Sequence, residues 1–279
     1  MMDYLKNTFR TVIVPVKLIF YYLLYQLGST YAVTFLLAGI NKFVPITEEV
    51  RTIYATSVGL VLSGVLMIVH LILFEYIKFN RQSWKEVSPK TVFVCLPLII
   101  SALISSNIAN EVIELPDLFQ GIFFDMSRNI FGLLSMAIVA PIVEEMLFRG
   151  AIEGFWLRRG LRPAKAICLS AFLFGLTHVN PAQVIFALFL GLIFGWLYYR
   201  TGSIIPSMAG HILNNSVAAV LIATSSMEEM SKTTADILGN TAAYSLWAVS
   251  ISVLIASFLY LKKYLPPSPF DCSDRSAVS

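Results

Sequence analysis

Charge is what this 279-residue chain has least of. Only 13% of its residues are Asp, Glu, Lys or Arg and 57% are hydrophobic, which excludes an ordinary water-soluble domain. Cysteine and histidine are equally sparse, three of each. Cys95, Cys168 and Cys272 are scattered, two in apolar runs and one near the C-terminus, so they form neither a metal-ligand spacing nor a disulfide framework. No internal repeat and no basic patch with interleaved aromatics is visible, so the sequence gives no reason to expect a nucleic-acid partner. The helical zinc signature His-Glu-x-x-His is missing as well.

What the chain has instead is long apolar runs. A helix needs about 20 apolar residues to cross the hydrocarbon, and eight stretches are candidates: Val16–Ile40, Ile53–Ile77, Thr91–Ile113, Ile130–Trp156, Pro163–Val179, Pro181–Tyr199, Ser203–Ala223 and Ala242–Leu261. The fifth and sixth are the shortest. The runs are continuous rather than alternating, which excludes the closed β-barrel as the other way of crossing lipid. The expectation is an all-α polytopic membrane protein, a bundle of about eight transmembrane helices over residues 1–264 with the lipid bilayer as its partner. The first run is too long for a signal-peptide core and lacks a small-residue cleavage site, so it reads as a retained helix. After Tyr264 the sequence Leu-Pro-Pro-Ser-Pro gives way to small and polar residues, so 265–279 is expected to be a disordered cytoplasmic tail.

Lys and Arg concentrate in alternate loops. Lys6, Arg10 and Lys17 flank the first run; Lys78, Arg81, Lys85 and Lys90 follow the second; Arg158, Arg159, Arg162 and Lys165 follow the fourth; Arg200, Lys262 and Lys263 complete the set. Glu111, Glu114, Asp117, Glu228, Glu229 and Asp236 occupy the opposite loops. Basic residues stay preferentially in the cytoplasm, so both termini are expected there. In the absence of organelle signals, a bacterial plasma membrane is the expected location. Between the third and fourth runs, Leu118, Ile122 and Met126 fall at helical spacing, with Phe119, Phe123 and Phe124 widening the apolar face. This segment reads as a helix lying on the membrane surface or packed on the bundle.

The scarce charges become informative where they interrupt a run. Glu144, Glu145 and Arg149 sit inside the fourth, although each charge there costs roughly 2.5–3.5 kcal/mol on insertion scales. Neighbouring helical positions point about 100° apart, so the two glutamates should have different roles. Glu145 and Arg149 are at i,i+4, the spacing at which helical side chains meet. Glu144 is left without a local cation, which suits it to accept a proton from water. The fifth run ends with Phe174 and His178 on one face, and the seventh carries His211 and Asn215 on one face with Asn214 less well aligned. Gly210 would let a neighbour approach closely. Structural readings stay open at this stage: an ion pair tying helices together, a core histidine, or interhelical hydrogen bonds. His70 has no motif company, and its replacement is expected to be tolerated.

Together, Glu-Glu-x-x-x-Arg, Phe-x-x-x-His and His-x-x-x-Asn follow one another on three apolar segments. In this the chain resembles the CPBP intramembrane proteases, the group of the CAAX prenyl endopeptidase and its bacteriocin-processing relatives, over roughly residues 118–223. The resemblance implies an endopeptidase acting on a peptide or protein that reaches the membrane. It implies that Glu144 and His178 activate water, that His211 and Asn215 stabilise the oxyanion, and that Glu145 and Arg149 form a supporting ion pair.

No cofactor is required in that reading. A zinc-dependent version would take Glu144, His178 and His211 as ligands, a catalytic donor set with room for water. From a different class comes a non-enzymatic transporter, or an immunity or binding protein, in which the carboxylates carry protons or recognise a cationic peptide; the repeated halves common in transporters are not evident. One expectation concerns depth. Glu144 falls about 14 residues into its run, roughly 21 Å at the helical rise, whereas His178 falls at the end of a short run. A water-filled cone open to the cytoplasm would reconcile the two.

Overall fold

A computed structural model describes residues 2–77 and 87–271, with side chains placed from Arg10 onward. Lys78, Arg81, Lys85 and Cys272, and with them residues 272–279 of the expected tail, lie outside the described residues. The elements are all helical: α1 (Met2–Ile40), α2 (Glu48–Leu73), α3 (Pro89–Ile113), α4 (Gln120–Ser127), α5 (Ile130–Arg158), α6 (Pro163–Leu176), α7 (Pro181–Thr201), α8 (Ile205–Thr224), α9 (Met227–Met230), α10 (Thr234–Leu238) and α11 (Asn240–Tyr264). Their ends follow from capping chemistry: Thr47 and Ser88 accept backbone N–H groups at the starts of α2 and α3, and Pro occupies the first turn of α3, α6, α7 and α8.

Among the described residues seven helices are long and apolar enough to cross a membrane, and the eighth expected span is not one of them. Where eight full crossings were expected, α6 has 14 residues, about 21 Å at the helical rise. It stops early because Thr177 Oγ1 and His178 Nδ1 both turn back to the Phe174 carbonyl, each at 2.9 Å. Val179 then takes a left-handed φ of 58° and Pro181 restarts the chain as α7. The depth question is resolved by this short helix. Counted from the ends nearest the 158–163 turn, Glu144 and His178 are both roughly 14–15 residues in, so both sit near mid-bundle.

α5 is not a uniform helix. Ser135–Val139 and Glu145–Glu153 are wound as wider π-helical turns on either side of the α-helical Ala140–Glu144. Pro141 lacks a backbone N–H and so cannot complete the regular ladder, and π turns are frequent where a helix carries functional side chains.

α6 and α7 form a hairpin whose close approach rests on Gly191. A Cβ there would stand 2.9 Å from Cα and Cβ of Ala171 and 3.3 Å from the Phe174 ring. Gly210 does the same for α8, where a Cβ would meet Ile99 of α3 at 2.9 Å. Residues 265–271, the described part of the expected tail, make contacts with α7. Ser268 Oγ donates to the Tyr199 carbonyl at 2.6 Å, Tyr199 Oη donates to Asp271, and Phe270 packs on Tyr198 and Tyr199. Residues 265–271 are therefore docked on the end of α7, because Pro and Phe there find an apolar surface that a sequence scan does not supply. Gly191→Ala is expected to lower stability by about 1–3 kcal/mol through overpacking, read as a fall in the thermal unfolding midpoint of the detergent-purified protein.

Candidate active site

The widened turn of α5 carries the centre of the site. Arg149 Nη1 lies 2.9 Å from Glu145 Oε1 and both side chains are fully buried. The i,i+4 spacing thus becomes an ion pair in hydrocarbon, where an unpaired charge would be far more expensive. Arg149 also lies over two aromatic faces, its Cζ 4.4 Å from the Phe174 ring centroid and 5.5 Å from that of Phe194.

α8 adds His211, which stands between the two glutamates. Its Nδ1 is 3.0 Å from Glu145 Oε1 and its Nε2 is 3.6 Å from Glu144 Oε2. Glu145 thus orients the ring, as carboxylates orient imidazoles elsewhere, and Nε2 faces Glu144. Glu144 is held from the other side by Tyr22 of α1, whose Oη donates to Oε1 at 3.1 Å. Unlike Glu145, it keeps 12% of its side chain exposed.

Phe174 is the hub of the arrangement. Its ring stands edge-on to His178 at 4.9 Å, to His211 at 5.7 Å and to Phe148 at 5.2 Å. His178 reaches the same cavity as Glu144, and no hydrogen bond joins the two. The Phe174 carbonyl can only accept, so His178 Nδ1 carries the proton and Nε2 is left as an acceptor. Asn215 donates through Nδ2 to the Met136 carbonyl at 3.0 Å, and Asn214 donates to Asn215 Oδ1 at 3.0 Å. The two asparagines act as a pair, with Asn214 holding Asn215.

Glu144, His211, Glu145 and Arg149 are therefore linked in that order by successive contacts, while His178 and Asn215 complete the cavity wall. Two further residues were not anticipated. Tyr22 carries no sequence signal, being one aromatic among many in α1. Glu153 had one, since it follows Arg149 by four positions as Arg149 follows Glu145. It is fully buried, within electrostatic range of Arg149, and neither carboxyl oxygen has a hydrogen-bond partner among the described residues. His70, expected to be dispensable, is buried within a cage of Tyr21, Tyr25, Phe74 and Tyr76 and is hydrogen bonded to Tyr25 at 2.9 Å. Its role is packing, so its removal would disturb the α1–α2 contact without touching the site.

A cavity of about 1070 Å³ opens above these groups. Glu144, His178, His211 and Asn215 lie at its inner end, and Glu111, Asp117, Glu229 and Lys232 at the other. Its walls come from the halves of α3, α5, α7 and α8 next to the 114–119 and 225–234 loops. The expected cone on the side of the basic loops is thus not what forms: the cavity runs toward the acidic loops. Phe119 and Phe123 line it, while Leu118 and Ile122 stay exposed and Met126 is buried, so the apolar stripe of α4 is divided between mouth and exterior.

No group of three or more His, Cys, Asp or Glu able to hold an ion occurs among the described residues. The Phe174 ring packs edge-on against both His178 and His211. These side chains as placed do not fit a three-ligand zinc site.

Residues 126–217 match the family model described as Type II CAAX prenyl endopeptidase Rce1-like. The matched segment holds all seven residues of the three motifs and supports the CAAX-protease family that those motifs resemble. No curated protein and no solved structure matches the chain.

Because Glu145 and Arg149 neutralise each other, removing one partner should be far worse than removing both. Glu145→Ala or Arg149→Ala alone is expected to cost about 3–5 kcal/mol, and the double replacement Glu145→Leu with Arg149→Met distinctly less, measured as thermal unfolding midpoints in detergent.

Proposed function

We propose that this chain is an intramembrane endopeptidase, with Glu144 as general base acting on water at the inner end of the cavity. The observation that carries this reading is the division between the two glutamates. Glu145 is sealed and neutralised by Arg149, whereas Glu144, held by Tyr22 and beside His211, is open to a cavity large enough for a peptide segment. A volume of about 1070 Å³ is just above the roughly 300–1,000 Å³ usual for small-ligand sites.

In the proposed reaction a water oxygen attacks the scissile carbonyl carbon while Glu144 takes its proton. His178, an acceptor at Nε2, holds the second hydrogen of that water. The oxyanion is met by the second N–H of Asn215 and by His211 acting as an imidazolium, its Nδ1–H kept on Glu145 while its Nε2–H donates. Collapse breaks the C–N bond, and the proton on Glu144 passes to the leaving amine. Arg149 and Glu145 act as positioning residues, since Glu145 holds His211 and Arg149 holds Glu145. No step is routed through a metal. Both termini lie in the cytoplasm in this proposal, and the bilayer is a bacterial plasma membrane.

Glu144→Gln is expected to reduce peptide cleavage by about 10²–10⁴-fold, and Asn215→Ala by about 10²–10³-fold, at unchanged amounts in the membrane. His178→Ala should abolish most of the activity. Cleavage by Glu144→Gln at the parental rate would overturn the reading, and retention of the biological role by that variant would favour a binding protein.

Metal dependence has a separate prediction. Protein stripped by a chelator is expected to keep its activity, measured as the initial rate of peptide cleavage in detergent. Loss on stripping, restored by zinc, would establish the zinc-dependent version instead.

A further inference from the structure

The cavity and the charge distribution, taken together, say from which side a substrate arrives. One end of the bundle carries Arg10, Lys90, Arg158, Arg159, Arg162, Lys165, Arg200, Lys262 and Lys263. The other carries Lys42, Arg51, Arg128 and Lys232 among a larger number of carboxylates. Two of those four cations are engaged locally: Arg51 reaches Glu48 at 4.0 Å, and Arg128 donates to the carbonyls of Ala223 and Ser225 at 2.8 and 2.9 Å. The basic end is therefore the cytoplasmic one. The cavity starts near mid-bundle at Glu144 and His211 and runs from there toward the acidic loops.

The far end of the cavity is a built mouth rather than a gap between loops. Glu111 at the end of α3 accepts both the backbone N–H and the hydroxyl of Thr234, at 2.8 and 2.9 Å. Buried Asn180 accepts the Leu118 N–H at 3.0 Å and donates to Asp117 at 2.8 Å. Arg128 ties the start of α5 to the end of α8. These three cross-links join the loops into a collar, and Phe119 and Phe123 give it an apolar lining. Toward the basic end the site is closed by fully buried Arg149, Glu153 and Tyr198.

We infer that the site is entered from the non-cytoplasmic face of the membrane, and that its substrate is a peptide segment exposed on that face with apolar residues to fill the walls. A secreted peptide or the outer juxtamembrane segment of a membrane protein has this chemistry; a cytoplasmic tail does not reach the opening. This inference rests on the endopeptidase reading above, and the test separates the two.

The test uses full-length protein with Cys168→Ser and Cys272→Ser, leaving buried Cys95, and adds Lys232→Cys at the mouth or Arg162→Cys at the opposite end. In right-side-out membrane vesicles a membrane-impermeant maleimide is expected to label Lys232→Cys and to miss Arg162→Cys, with the pattern reversed in inside-out vesicles. A quenched fluorescent peptide pool with charged ends, added outside, should be cleaved by right-side-out vesicles and by inside-out vesicles only after detergent. If labelling is reversed, or cleavage occurs only in inside-out vesicles, the inference falls while a Glu144-dependent protease stands. If no peptide is cleaved even in detergent, the endopeptidase reading falls and the substrate assignment with it.

Discussion

The buried pair of Glu145 and Arg149 is the constraint around which the rest is arranged. A charge in hydrocarbon must be compensated where it sits, and two fully buried ions cannot be compensated by each other alone. Arg149 is covered by the rings of Phe174 and Phe194, and Glu145 takes His211 as a second partner. Those contacts come from α6, α7 and α8, so satisfying one ion pair draws three helices onto α5. The glycines at 191 and 210 are the counterpart, removing bulk where the helices must approach for the contacts to form.

The same arrangement separates two chemically identical neighbours. Glu144 and Glu145 differ by one position, but the helix points them in different directions. One is sealed beside a guanidinium and the other looks into a cavity beside a phenol and an imidazole. His211 joins them, so the sealed carboxylate orients the ring that serves the open one. In the proposed protease the chemistry is a matter of where water and a peptide can reach, and the cavity runs from Glu144 toward the acidic end of the bundle.

Much of this was legible in the chain itself. The apolar runs determine an all-α membrane bundle because no other backbone arrangement is satisfied in lipid. The pairing of Glu145 with Arg149 follows from spacing alone, and the family match over 126–217 covers the segment that the three motifs mark. The shortness of α6 was less legible, because hydropathy runs on through Thr177–Val179 although two side chains turn back to cap the helix at Phe174. Tyr22 was not legible at all: its place beside Glu144 depends on how α1 packs, over a separation of more than a hundred residues.

By itself, then, the sequence determined what must be paired: which residues carry charge in hydrocarbon, which of them meet along one helix, and which end of the bundle is basic. Those are local properties, governed by the helical repeat and by the cost of charge in lipid. The tertiary structure alone decided that His211 bridges the two glutamates, that Phe174 packs edge-on against both imidazoles, and that the cavity runs toward the acidic loops. Each of these depends on the relative placement of separate helices, which is set by packing across the bundle and leaves no mark in any one segment.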